Sequence, residues 1–169
     1  MLKIEDKAPN FCAFNQDDTE ICLRDIVGKW IVLYFYPKDL TPGCTTQACD
    51  FTNNQFLFDN LKATVIGVSP DDTKKHRQFI EKYDLKITLL SDSDKKICQD
   101  YGVWQLKKFM SKEFMGVVRT TFIINPRGEI AFIWDKVSVR KKRSIKGETV
   151  EVLHVDEVIK KLEELQAQF

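Results

Sequence analysis

Trp30-Ile31-Val32-Leu33-Tyr34-Phe35 is an unbroken apolar run, and Pro37, Thr41 and Pro42 punctuate the chain just beyond it. A run this short, apolar at every position, suits a strand covered on both faces. Thr41-Pro42 reads as a helix start, with Thr41 as N-cap and Pro42 at the first helical position. A buried strand that feeds a loop and then a helix is the first half of a βα unit. Sites in open α/β sheets gather at the carboxyl ends of the strands. The loop from Pro37 to Cys44 therefore falls where a site is expected.

The rest of the chain fits the same architecture. Phe11–Phe14 and Glu20–Leu23 read as two short strands around the turn-like Asn15-Gln16-Asp17-Asp18. The helix from Thr41 is expected to run to about Asn60, with a strand over Ala63–Val68 after it. Ser69-Pro70 repeats the cap-then-proline signal and starts a helix reaching about Tyr83. Ile87–Leu90 reads as a strand and Lys95–Tyr101 as a short helix. Thr120–Ile124 and Glu129–Trp134 flank the turn Asn125-Pro126-Arg127-Gly128. Val155, Val158, Ile159, Leu162 and Leu165 recur at helical spacing, so the chain closes on an amphipathic helix. Strands alternating with helices predict an α/β sandwich with a mixed central sheet.

Length favours one domain for 169 residues. A net charge of +1 gives no global case for nucleic acid or an anionic membrane. No apolar run approaches the roughly 18 residues that span a bilayer. Five cysteines, an odd number without an extracellular spacing pattern, suit a reducing cytoplasm better than a secreted disulfide scaffold.

Two of those cysteines carry the chemistry. Cys44 falls in the first turn after Thr41-Pro42. There, free backbone N–H groups and the positive end of the helix dipole favour an anion. The thiolate is the reactive form of cysteine. Cys49, five residues on, gives it a thiol partner. These features point to a thiol redox catalyst.

The run Tyr36-Pro37-Lys38-Asp39-Leu40-Thr41-Pro42-Gly43-Cys44, with a second cysteine at 49, resembles the peroxiredoxins of the Q type, also called bacterioferritin comigratory proteins. Gly102-Val103-Trp104 and Arg119-Thr120-Thr121-Phe122-Ile123-Ile124 extend the resemblance, which covers about Asp6 to Trp134. It implies a thioredoxin-like fold with an N-terminal β-hairpin, and reduction of hydrogen peroxide and organic hydroperoxides. It implies a peroxidatic role for Cys44 and a resolving role for Cys49, with Pro37, Thr41 and Arg119 completing the site. Some relatives place the resolving cysteine on the helix after Ser69, and here that helix has none. No cofactor or metal is expected. The expected partners are the peroxide and a dithiol reductant, thioredoxin above all, with no membrane or nucleic-acid partner. The expected state is a monomer or weak dimer. The chain departs from the pattern over Asp135–Gly147, which is longer and more basic than the resemblance leads one to expect.

The chemistry needs an ionised sulfur, donors that bind the peroxide, and a partner for developing negative charge. Arg119 offers a permanent charge and a planar fork of donors. The Thr41 hydroxyl can donate to and accept from a peroxide. Pro37 stiffens the loop. Residues five apart on a helix are separated by about 7.5 Å of rise and point about 140° apart. Cysteines with Cα atoms more than about 7 Å apart cannot bridge without backbone movement. A Cys44–Cys49 disulfide therefore requires the helix start to unwind.

Cys12, Cys22 and Cys98 read as core or incidental thiols, His76 as a partly packed histidine, and His154 as a cap-region residue. The basic run Arg140–Lys146 reads as a solvated loop. Two other functions stay open: a general thiol–disulfide oxidoreductase, whose usual spacing is Cys-x-x-Cys, and a redox sensor or binding protein using Arg140–Lys146.

Overall fold

The computed structural model describes residues 2–169. Its main sheet has seven strands. In chain order these are β1 (Cys12–Asn15), β2 (Glu20–Cys22), β3 (Trp30–Phe35), β4 (Ala63–Ser69), β5 (Thr88–Ser91), β8 (Thr120–Ile124) and β9 (Ile130–Trp134). Two further hairpins, β6 (Trp104–Phe109) with β7 (Lys112–Val117) and β10 (Arg140–Ile145) with β11 (Glu148–Leu153), stand apart from it. The helices are α1 (Leu23–Ile26), α2 (Pro42–Asn53), α3 (Gln55–Asn60), α4 (Thr73–Tyr83), α5 (Lys96–Asp100) and α6 (His154–Gln168).

The sheet order is β2-β1-β5-β4-β3-β8-β9. β3, β4 and β5 are parallel, while β8, β9, β1 and β2 pair antiparallel, so the sheet is mixed as expected. All six residues of β3 are buried. Their alternation splits the interior in two. Trp30, Val32 and Tyr34 pack with Phe51, Phe58, Phe79, Val158 and Leu162 on the face covered by α2, α3, α4 and α6. Ile31, Leu33 and Phe35 pack with Leu23, Ile97, Cys98, Tyr101 and Phe122 on the other. Each fully buried aliphatic side chain contributes about 2 kcal/mol, which makes the two-sided β3 the main hydrophobic anchor. No helix among the described residues is long and apolar enough to cross a membrane.

Gly67 of β4 lies directly opposite Tyr34 of β3. A Cβ there would come within 2.8 Å of the Tyr34 ring and 2.9 Å of Leu89. The Tyr34 ring cannot swing away, because it is stacked on Phe51 of α2 at a centroid distance of 4.7 Å. Gly67→Ala is therefore expected to cost about 1–3 kcal/mol through overpacking. A denaturation midpoint equal to the parent's would show that the ring has room to move.

Several expected boundaries shift, each for a local reason. The helix from Thr41 stops at Asn53 rather than Asn60, and α3 follows as a separate piece. At the break, the Asn54 side chain donates to Asp50 O and its backbone N–H to Phe51 O. A short polar side chain thus competes for the helix's own bonds. The cap of α4 is Asp72, whose carboxylate accepts from Lys75 N at 2.8 Å, not Ser69, whose hydroxyl is held by Asp71. The basic run is not a solvated loop but strand β10, turned back to β11 through Lys146 and Gly147, both with positive φ. The β6–β7 hairpin was not expected at all. Met110 and Ser111, both with positive φ, make its turn, whereas glycine or asparagine usually signals such a turn.

Candidate active site

The loop after β3 is fixed from below by a buried polar network. Tyr36 donates to Asp39 Oδ1 at 2.5 Å, and Asp39 Oδ2 lies 2.6 Å from His76 Nδ1. His76 Nε2 faces the carbonyl of Leu90 at 3.0 Å, so it carries a proton. All three side chains are buried. The Asp39 backbone N–H donates to Asp71 Oδ2. The end of β3, the loop, α4 and β5 are thereby tied together. Reading His76 as partly packed is corrected: it is fully buried and paired with Asp39.

Beyond this anchor Leu40 takes a left-handed conformation and the chain enters α2 through Thr41 and Pro42. Thr41 occupies the N-cap position with extended backbone, but its side chain does not cap the helix. Its hydroxyl donates instead to Lys38 O at 2.8 Å. The proton is engaged, and the oxygen keeps acceptor capacity. The first intrahelical bond runs from Thr45 N to Thr41 O at 2.8 Å. The N–H groups of Gly43 and Cys44 precede it and have no helical acceptor.

Cys44 is a buried free thiol in this first turn. Arg119 immediately precedes β8 and its side chain meets the start of α2. Its Nη2 donates to Cys44 Sγ at 3.4 Å and its Nη1 to Gln47 Oε1 at 2.6 Å. Cys44 and Arg119 are 75 positions apart in the chain. Gly43 leaves room for this approach, since a Cβ there would lie 3.3 Å from Arg119 Nη2 and crowd the guanidinium. Gln47, one helical turn past Cys44 and itself buried, was missed in the sequence. Its i+3 spacing from Cys44 was the available signal. Val137 N donates to Arg119 O, fixing the backbone of that residue as well.

Cys49 is a free, partly buried thiol packed against the same core as Cys44. Burial first, and the neighbouring Asp50 charge second, push its thiol pKa up. It rests as a protonated thiol on a different face of α2 from Cys44. Pro37 opens the loop and is half-buried. The geometry thus gathers Cys44, Arg119, Gln47 and Gly43 at one point, with Thr41 on the same turn and Cys49 on another face.

The remaining cysteines are elsewhere. Cys12 and Cys22, read from sequence as incidental thiols, are bonded to each other. They are direct cross-strand partners in the β1–β2 hairpin. Cys98 is buried, and desolvation with the adjacent Asp92 raises its thiol pKa strongly, which keeps it protonated. His154 opens α6 with its Nε2 2.9 Å from the Thr121 hydroxyl, and burial pushes its pKa down to about 4. It is a neutral core residue at neutral pH.

The AhpC/TSA family model matches residues 4–133. The chain is 46% identical over 139 residues to peroxiredoxin Bcp of Bacillus subtilis, covering 82% of this chain and 88% of that protein. Among solved structures it resembles the Xanthomonas campestris bacterioferritin comigratory protein, described for its alkyl peroxide reduction activity, with a TM-score of 0.79 and 34% identity over 91% of this chain and 90% of that one. It also resembles a cysteine-to-serine mutant of Xylella fastidiosa PrxQ, with a TM-score of 0.85 and 32% identity over 98% of both chains.

Proposed function

The chain belongs to the AhpC/TSA family and is a peroxiredoxin, a thiol peroxidase, and from that premise we propose how its residues share the reaction. Cys44 is the peroxidatic residue. Its thiolate attacks one peroxide oxygen, the O–O bond breaks, and the other oxygen leaves as hydroxide or alkoxide and takes a proton. Sulfur ends as a sulfenic acid. One contact carries this reading: Arg119 Nη2 on Cys44 Sγ at 3.4 Å. A fixed cation beside the sulfur is suited to both the thiolate and the negative charge that develops on the leaving oxygen.

Thr41 and the free N–H groups of Gly43 and Cys44 hold the peroxide. With its own proton donated to Lys38 O, the Thr41 oxygen accepts from the peroxide O–H. Gln47 keeps the guanidinium in place, and Pro37 stiffens the loop against which the peroxide rests. Cys49 is the resolving residue: its thiol condenses with the Cys44 sulfenic acid to a disulfide and water. A dithiol, thioredoxin first among candidates, returns both sulfurs to thiols by exchange. Hydrogen peroxide and organic hydroperoxides both suit this chemistry, the second supported by the alkyl peroxide activity of the Xanthomonas relative. We place the enzyme in the cytoplasm, where a reducing pool can supply the dithiol.

Coupled consumption of NADPH through thioredoxin reductase and thioredoxin, driven by added peroxide, tests the reading. Sustained turnover is expected. Reduction of insulin disulfides without peroxide consumption would instead identify a general oxidoreductase. A single stoichiometric oxidation without turnover would identify a sensor.

Arg119→Ala is expected to slow thiolate attack at least about tenfold, equivalent to about 1.4 kcal/mol of barrier. The rapid-mixing rate of the first oxidation reads this directly. A rate equal to the parent's would remove Arg119 from the chemistry.

A further inference from the structure

Asp50 follows Cys49 directly in α2 and is buried, with a carboxylate that meets one cation among the described residues. That cation is Arg140, the first residue of β10. Its Nη2 donates to Asp50 Oδ1 at 2.6 Å and its Nε to Asp50 Oδ2 at 3.2 Å. The pairing is two-pronged, which gives it direction as well as strength. Glu151 of β11 holds the same guanidinium from the other side, through Nη1 at 3.4 Å. The base of the hairpin is itself secured. Lys141 reaches Glu157 of α6 at 3.3 Å, and His154 N donates to Val139 O. The hairpin lies beyond residue 133, where the family match ends.

We propose that the β10–β11 hairpin is a latch on α2, and that Arg140 and Asp50 are positioning residues for the resolving step. The proposal rests on Cys49 resolving Cys44. That condensation, Cys44–SOH plus Cys49–SH giving the disulfide and water, requires the turns between the two sulfurs to unwind. Asp50 sits at the far end of that segment. Each opening must therefore carry Asp50 away from Arg140 or drag the hairpin with it. The latch stabilises the closed helix, in which Cys44 meets peroxide, and slows the open one, in which it meets Cys49. While the helix is closed, a second peroxide can convert Cys44–SOH to sulfinic acid, releasing water or an alcohol. The ion pair thus sets how much peroxide the enzyme tolerates before over-oxidation. The basic hairpin residues beyond Arg140 are not needed for this role.

The test compares the full parent chain with Arg140→Ala, Arg140→Lys, Asp50→Asn and the double variant Asp50→Asn/Arg140→Ala. After one equivalent of hydrogen peroxide, rapid mixing gives the first oxidation. Quenched thiol alkylation with mass spectrometry gives the rate of Cys44–Cys49 formation. A peroxide titration during turnover gives the concentration at which half of Cys44 is sulfinic. First oxidation should stay within about twofold of the parent. Disulfide formation should be about three- to tenfold faster in Arg140→Ala and Asp50→Asn, and half-inactivation should need correspondingly more peroxide. Arg140→Lys, which keeps the charge and loses the fork, should fall between and covers the case of a truncation that disorders the hairpin. The double variant should be no faster than Asp50→Asn alone, because Arg140 acts on α2 only through that carboxylate. Equal or slower disulfide formation in all variants would overturn the latch. A parent that oxidises Cys44 but forms no Cys44–Cys49 disulfide would instead overturn the resolving role on which the latch depends.

Discussion

Cys44→Ser should abolish peroxide turnover, while Cys98→Ser and the paired change Cys12→Ser with Cys22→Ser leave it within about twofold. The contrast follows from where the sulfurs lie. Among the described residues only Cys44 has a guanidinium on its sulfur, at 3.4 Å, and the start of α2 beneath it. Serine keeps the size and the hydrogen-bonding position, so Arg119 and Gln47 should remain in place and the fold intact. What is lost is the chemistry. A serine hydroxyl is scarcely ionised at neutral pH and forms no sulfenic acid. Cys98 is buried on the opposite side of the sheet, among Ile97, Tyr101 and Phe122, with its thiol held protonated. Peroxide-driven NADPH oxidation with thioredoxin, read beside a denaturation midpoint, separates lost chemistry from lost fold. Parent-like turnover in Cys44→Ser would move the reaction to another sulfur.

Much of this arrangement was readable in the sequence because the informative residues are local. Six apolar residues ending at a proline-marked loop predict a strand buried on both sides, and β3 is that strand. The cap-proline pair places Cys44 in the first turn of α2, although the Thr41 hydroxyl turns out to donate to Lys38 rather than cap. The two outlying hairpins lack any such signature. β10 is exposed at every residue, so no face is buried and no apolar alternation is imposed on its sequence. Three of the six residues of β6 and four of the six of β7 are exposed as well. A strand that gives the core only an end residue, as β6 does with Trp104 and β7 with Val117, leaves no hydrophobic period to read.

The parts of the site that escaped are those made by distant partners. Asp39 and His76 are 37 positions apart, and Arg140 and Asp50 are 90 apart. Neither pair has a spacing that marks it. Arg119 was found only through its resemblance to family members, because a lone arginine before a strand has many uses. Gln47 could have been found from its place one turn past Cys44. The Cys12–Cys22 pairing was nearly in reach. Strands over Phe11–Phe14 and Glu20–Leu23 about a central turn set the two cysteines opposite each other, and the observed register does so.

Cys49→Ser should keep the first attack on peroxide, lose thioredoxin-dependent recycling, and become sulfinic at Cys44 at far lower peroxide concentrations. Attack needs only the Cys44 side of the helix, which the substitution does not touch. Recycling, in the proposed cycle, needs the second sulfur. Cys49 is held as a thiol, its pKa raised by burial and by Asp50, so it is a poor nucleophile while α2 is folded. Unwinding removes that burial and also closes the gap of about 7.5 Å of helical rise between the two residues. In the proposed resolving role, one motion would both uncover Cys49 and bring it toward Cys44. In the parent chain, peroxide should produce a Cys44–Cys49 disulfide, seen by non-reducing peptide mapping. Amides from about Gly43 to Phe51 should then exchange faster with solvent than in the reduced protein, while those of β3 stay protected. A dominant disulfide from Cys44 to Cys98 or to a second chain would reassign the resolving thiol. Unchanged exchange across Gly43–Phe51 after disulfide formation would mean that the sulfurs meet with the helix closed, against the distance that α-helical geometry sets between them.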